Sequence, residues 1–189
     1  MTEPTHLGTR EQILATALGL FTAQGYDATS LRQIADQLHM TKAALYYHFP
    51  AKEQLLLELT RPLLDGMSRL VTEMRADAQH DEARVLAAYL DLFLTHVDVV
   101  GLLSREPATQ NHPDVGQRAR SLVAAIQQLL TGPDPSPRRV VRTACAMGVI
   151  HSVPQIPIDV LDNQRDIVLT AALQALQTDD DTHVKSARA

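Results

Sequence analysis

From about residue 10 to residue 177, apolar side chains return every three or four positions, and almost no stretch shows the two-residue alternation of a half-buried strand. That spacing restricts the chain to packed helices, and caps and breakers mark them off. Thr9 stands where a first helix would be capped, with Ile13, Leu14, Ala17, Leu20 and Phe21 on one face and Gly25 to stop it. Thr29 or Ser30 caps a second, whose inward residues are Leu31, Ile34, Ala35 and Leu38. A short break follows, and Thr41 caps a brief third helix. A long helix is expected over residues 51 to 78, interrupted by Pro62. Asp81 opens the next, with Leu86, Tyr89, Leu90, Phe93 and Val97 in line, and a short helix then closes at Pro107. Pro113, at a first helical position, opens another that Gly132 ends. "GPDPSP" links to a helix over 137–153, "PQIP" breaks the chain, and a last helix runs over 159–177. The expected fold class is all-α with about nine helices, and the tail "DDDTHVKSARA" is expected to be disordered.

Composition excludes several classes of protein. Hydrophobic residues make up 45% of the 189 and charged residues 21%, the balance of a globular chain with a buried core. No apolar run approaches the roughly 18 residues of a membrane span. "MTEPTHLGTREQ" has no apolar signal-peptide core, so a cytoplasmic location without a membrane partner is expected. Cys145 is the one cysteine, which agrees with a reducing compartment. Between Ala144 and Ala146 it reads as a buried small hydrophobe rather than a redox sensor. His96, His112 and His151 lack helical pairing or a nearby cysteine pair, so no metal site is expected. The sequence has no Gly-rich phosphate loop, nucleophile elbow or paired carboxylates on one helix face, so neither catalysis nor a cofactor is expected. The net charge of −5 gives no general affinity for nucleic acid, so any such binding has to be local.

One such locality is residues 31–49, which fit two short helices packed steeply across a tight turn. Ala35 permits close approach, Ile34, Leu38, Met40 and Leu45 anchor the pair, and His39 takes the turn position that usually favours glycine. Of four tyrosines and three phenylalanines in the chain, Tyr46, Tyr47 and Phe49 fall in "TKAALYYHF". At about 100° per residue, Leu45 and Phe49 directed at a core leave Tyr47 pointing nearly away, level with Ala43, with Lys42 and Tyr46 beside it. A small residue, a cation and two phenols suit a major groove: Ala43 allows close approach, rings meet thymine methyls and hydroxyls reach phosphates. No acid occurs between Asp36 and Glu53, while Lys42, Lys52, His39 and His48 do, and helix N-termini near Thr29, Thr41 and Ala51 offer amides to phosphate. The footprint is narrow, because Arg10, Arg32, Lys42 and Lys52 are the only Lys or Arg in residues 1–60, so tight binding calls for two copies. The alternative is that the tyrosines cover the next helix and Lys42 is a solvated charge.

"ILATALGLFTAQGYDATSLRQIADQLHMTKAALYYHFPAKEQLL" resembles the N-terminal domain of the tetracycline-repressor (TetR) family, through "A..LF...G", "G[Y]..TS...IA..L" and "K..LY.HF..K..LL". The resemblance covers roughly the first quarter of the chain and implies a helix-turn-helix DNA-binding domain over 1–50 and a ligand-binding, dimerising domain over 51–178. It places Thr41, Lys42, Ala43 and Tyr47 at base edges or nearby backbone, and Thr29, Tyr46, His48 and Lys52 at phosphates. The implied protein is a homodimeric repressor on a near-palindromic operator in double-stranded DNA, released by a small-molecule effector. A ligand-independent regulator or activator, or an enzyme or carrier with a vestigial reader, are the rival readings.

The same resemblance implies that the last two helices pair with those of a second copy. Val168, Ala171, Ala172, Ala175 and Leu176 supply small and apolar residues for close approach, either to a partner or to the chain's own core. An effector pocket is expected among helices from Pro62 to Gly132, with Tyr89, Phe93, His96 and Asn111 as candidates and Met147 and His151 contributing from the next layer. Each of Tyr89 and Phe93 reads equally well as plain core. Pro62 removes the amide that would bond the Glu58 carbonyl; a kink near 59–62 that divides a reader end from a pocket end and carries the ligand's effect between them is one reading, and an irregularity with no role is the other.

Overall fold

The computed structural model describes residues 8–77, 81–161 and 164–177; the tail, with the expectation made for it, lies outside them. Among the described residues there are eleven α-helices and no strand. They are α1 (Thr9–Gln24), α2 (Leu31–Gln37), α3 (Lys42–His48), α4 (Lys52–Ala76), α5 (Glu82–Thr95), α6 (Val97–Arg105), α7 (Pro107–Gln110), α8 (Val115–Thr131), α9 (Pro137–His151), α10 (Ile158–Leu161) and α11 (Arg165–Gln177). A 3-10 turn, Val153–Gln155, fills the "PQIP" break.

Of the two helices beyond the expected count, one arises because the helix expected over 159–177 is two, the four-residue α10 and then α11. The other is α7, a single turn too short to show a period, so the pattern that finds longer helices passes over it. Local details also differ from expectation. Thr9 lies inside α1, and Gly8 is the cap, its amide donating to Glu11 Oε2 at 2.9 Å. Helix α8 begins at Val115 rather than Pro113, and α4 runs continuously through Pro62. No single helix among the described residues is long and apolar enough to cross a membrane.

The chain folds as two compact units. One runs to Arg69 and resumes over Leu92–Val123; the other takes Leu70–Asp91 and the described residues from Ala124 onward. In the first, α1 buries Ile13, Ala17 and Phe21, spaced at helical i, i+4, i+8, and touches both α2 and α6. Helix α2 adds Leu31, Ile34 and Ala35, α3 adds Leu45, and Phe49 follows, the last two fully buried. Each such large side chain removed from water contributes about 1.5–3 kcal/mol. Tight crossings here require glycine. A Cβ at Gly116 would stand 1.9 Å from the carbonyl oxygen of Gln110, so no side chain fits where α8 starts beside the end of α7.

In the second unit α9 and α11 pack together, burying Ala146, Met147 and Ile150 from one and Val168, Ala172 and Leu176 from the other. Ser136 caps α9 by accepting from the Arg139 amide at 3.2 Å. Arg165 forks onto Asp91, with Nε to Oδ1 at 2.6 Å and the second nitrogen to Oδ2 at 2.9 Å, fastening the start of α11. Cys145 is exposed, against the expectation of burial, because the inward line of α9 passes through Thr143, Ala146, Met147 and Ile150 and leaves it outside.

Candidate nucleic-acid interface

Helix α2 starts in a capping box: Ser30 Oγ accepts from the Gln33 amide at 3.3 Å, and Gln33 Oε1 accepts from the Ser30 amide at 2.8 Å. It ends in the turn expected of residue 39. His39 has φ 53°, the left-handed region, and its amide donates to Asp36 O at 3.2 Å while Met40 N donates to Ala35 O at 3.0 Å. These are the two bonds of a Schellman motif, which ends one helix and redirects the chain into the next within a few residues. Thr41 then caps α3, its hydroxyl oxygen accepting from the Ala44 amide at 3.2 Å.

The rotation of α3 follows from its anchors. Leu45 and Phe49 are fully buried, so Tyr47 is turned outward and is 86% exposed. Thr41, Lys42 and Ala43 are exposed on the same helix, Tyr46 is partly so, and His48 is half-buried. The Lys42 ammonium lies 5.3 Å from the centre of the Tyr46 ring, and the rings of Tyr47 and His48 meet edge to face at 5.4 Å. The outward surface is thus a short basic and aromatic ridge with a small residue that permits close approach.

Two of the residues expected at phosphates lie elsewhere. Thr29 is buried at 2% exposure; its hydroxyl donates to Gly25 O at 2.8 Å and accepts from Gln24 Nε2 at 3.1 Å. The Lys52 ammonium donates to the carbonyls of Tyr26 at 2.8 Å, Thr29 at 3.0 Å and Asp27 at 3.5 Å, and rests 4.2 Å from the centre of the Tyr26 ring. Both groups hold the α1–α2 turn together in place of projecting from it. Burial, with the charges of Glu53 and Asp27, pushes the Tyr26 phenol up to about 12.

The residues expected around an effector divide between the units. In the second, Tyr89 is fully buried and its phenol oxygen lies 2.8 Å from His151 Nε2; Met147 is buried one turn before that histidine. Thr143, a further turn back, is buried with a hydroxyl that meets no hydrogen-bond partner among the described residues. Sequence reasoning passed over Thr143, although its place four residues before Met147 was visible. Burial pushes the Tyr89 phenol up and the His151 imidazole down. In the first unit Phe93 is buried, His96 is half-buried with its imidazole pushed down by burial, and Asn111 is exposed. An open groove in that unit, lined by Ala15, Leu18, Gly19, Thr22, Ala23 and Asp98, contains none of these candidates. No group of three or more His, Cys, Asp or Glu that could hold a metal ion occurs among the described residues.

Comparison with known proteins bears on the same region. Residues 13–59 match the model of the bacterial regulatory proteins, tetR family. The chain is 34% identical over 113 residues to the HTH-type transcriptional regulator LmrA of Bacillus subtilis, covering 55% of this chain and 60% of that protein. It is 32% identical over 62 residues to IcaR of Staphylococcus aureus, the HTH-type negative transcriptional regulator of the biofilm operon icaADBC, covering 33% of each. The chain therefore spans less than two thirds of the length of these relatives. Solved structures match more fully in shape. A TetR-family transcriptional regulator from Bordetella parapertussis superposes with a TM-score of 0.71 at 18% identity, over 91% of this chain and 96% of that one. AmtR of Mycobacterium smegmatis gives 0.66 at 23% identity, over 96% and 92%. At those identities the likeness is one of fold.

Proposed function

We propose that the protein is a member of the TetR family of bacterial regulatory proteins and a sequence-specific DNA-binding regulator, acting as a homodimer to repress transcription from a near-palindromic operator. The carrying observation is the orientation of α3, with Tyr47 86% exposed while Leu45 and Phe49 are fully buried. In this reading the outward phenol, with Thr41, Lys42 and Ala43, meets base edges, thymine methyls or nearby backbone, and Tyr46 and His48 meet phosphates. Thr29 and Lys52 act in this reading as supports of the turn beneath. Repression is supported by the likeness to IcaR, a negative transcriptional regulator, and the regulators among the relatives support a protein without catalytic activity.

The functional division, with the reader over 1–50 and the ligand and dimer functions over 51–178, is part of the same proposal. Dimerisation is supported by α9 and α11, whose outer faces expose Val141 at 62% and Ile167 at 65%, with Ala144, Cys145, Gly148 and Ala171 also exposed. Val168, Ala172 and Leu176, expected at that seam, are buried within the unit itself. A small-molecule effector is supported by the part-buried hydrogen bond between Tyr89 and His151 and by the buried Thr143 hydroxyl. The protein works in this reading in the cytoplasm.

The test is direct. Duplexes are selected by the protein from a random-sequence pool, and the doubly substituted Lys42→Ala, Tyr47→Ala protein is compared with the wild type. Loss of binding with the fold and dimer retained is expected; binding at wild-type strength would remove the assignment.

A further inference from the structure

We propose that Arg10 is a positioning residue for DNA reading: it fastens the C-terminal end of α3 to α4 and so sets the angle at which α3 is presented. The inference rests on the DNA-binding role proposed for α3. Three observations converge on this one side chain. A guanidinium nitrogen of Arg10 donates to the carbonyl oxygen of His48, the last residue of α3, at 3.1 Å. The planar group lies over the ring of Phe49, 4.3 Å from its centre, and Phe49 is fully buried. Its other terminal nitrogen pairs with Glu58 Oε1 on α4 at 2.9 Å. Glu58 in turn pairs with Arg61 on the same helix.

The chemistry at each of these places suits an arginine. The last carbonyls of a helix have no amide of their own helix to bond, and a cation there also meets the negative end of the helix dipole. Helix α3 has only seven residues, and the one basic side chain in its last turn is His48 itself, so Arg10 supplies a permanent cation that its own sequence lacks. Arginine satisfies two acceptors at once because its donors diverge in a fixed plane; lysine offers a single ammonium and cannot span them in the same geometry. At Glu58 the link meets the turn of α4 whose carbonyl is released by Pro62, four residues on. A shift of α4 at that turn moves the anchor of Arg10 and, through it, the end of α3.

In the sequence Arg10 is only one of four basic residues in the first sixty positions, and a phosphate contact is the alternative role for such a cation. The two roles separate by salt. Replacing a cation that binds a phosphate lowers the slope of log affinity against log salt by about one, whereas replacing a positioning residue changes affinity and leaves that slope alone. The probe is a duplex selected from a random pool by the wild-type protein, with binding followed by fluorescence anisotropy at several salt concentrations under which circular dichroism shows every variant folded.

Arg10→Met, which keeps an apolar stem over Phe49 but removes the donors, is expected to bind about tenfold more weakly with unchanged salt slope. Arg10→Lys is expected to fall between it and the wild type. Affinity equal to wild type, or a slope reduced by about one, overturns the inference. If Arg10→Met does not fold, Glu58→Gln decides, since it leaves the His48 bond and removes the ionic anchor together with the Glu58–Arg61 pair, with Arg61→Gln as the control that removes the latter alone. A smaller loss at constant slope supports the inference, and no loss overturns it. A wild-type protein that selects no duplex overturns the DNA-binding reading and this one with it, while equal binding by both proteins overturns this one alone.

Discussion

The phenol oxygen of Tyr89 and Nε2 of His151 lie 2.8 Å apart, a hydrogen bond between residues 62 positions apart in sequence. Burial raises the phenol and lowers the imidazole, so near neutrality the tyrosine keeps its proton and the histidine is uncharged. An unfolded histidine takes a proton near pH 6.5, the folded one only at lower pH. The unfolded state therefore binds more protons just below 6.5, and stability falls as pH drops through that window. His151→Gln should flatten the difference between urea denaturation curves taken at about pH 7.5 and 5.5. His96 is shifted downward for the same reason and retains its share of the slope. An equally steep pH dependence in the His151→Gln protein would contradict a neutral His151 beside Tyr89.

Within α3, neighbouring positions should respond in opposite ways. Leu45→Ala opens a cavity in a fully buried site and is expected to destabilise the protein by about 2–5 kcal/mol. Tyr47→Ala, at an exposed site, should change stability by no more than about 0.5 kcal/mol. Its effect should be on DNA affinity. Thermal or urea unfolding, measured beside anisotropy, separates the two outcomes.

The turn at His39 holds a side chain in a conformation that favours glycine. Relief of that strain, offset in part by the extra freedom glycine gives the unfolded chain, should make His39→Gly more stable by about 0.5–1 kcal/mol. His39→Val should be less stable, because a β-branched side chain is poorly tolerated there. Chemical denaturation of the pair checks the sign.

Lys52 behaves unlike a phosphate-binding cation. Its ammonium donates to the carbonyls of Tyr26 and Thr29, and Lys52→Met would remove both bonds at a cost of about 1–3 kcal/mol, although the Tyr26 carbonyl keeps the Thr29 amide. Unfolding should show that loss, and the salt slope of DNA binding should not change. A slope lowered by about one would return Lys52 to the phosphates.

The exposed aliphatic faces of α9 and α11 make a prediction about assembly. Ile167→Glu places a charge on a residue that is 65% exposed in the single chain, so the fold of the chain should survive. If that face joins two copies, light scattering should show the wild type as a dimer and the variant as a monomer. A variant that remains dimeric moves the interface elsewhere.

What the sequence made legible was whatever depends on spacing along one helix. The inward set of Ile34, Ala35, Leu45 and Phe49, the outward Tyr47 and the left-handed place of His39 all follow from local period and turn chemistry. What escaped depends on partners distant in sequence. Lys52 reaches carbonyls more than twenty positions back, and Arg10 meets His48 and Glu58 across 38 and 48 positions. A long flexible cation reads the same on the page whether it ends in solvent or on a carbonyl. Cys145 escaped for another reason: its neighbours Ala144 and Ala146 are alike in type, yet about 100° of rotation between adjacent positions leaves Ala146 buried and Ala144 exposed.

Helix α4 runs unbroken from Lys52 to Ala76 with an exposed proline at position 62. Because proline has no amide hydrogen, the ladder lacks a rung at the turn whose side chain, Glu58, holds Arg10. A uniform rod would spread a small bend along its whole length. A rod missing one rung has a fulcrum, and here the fulcrum stands within a turn of the tether to the third helix.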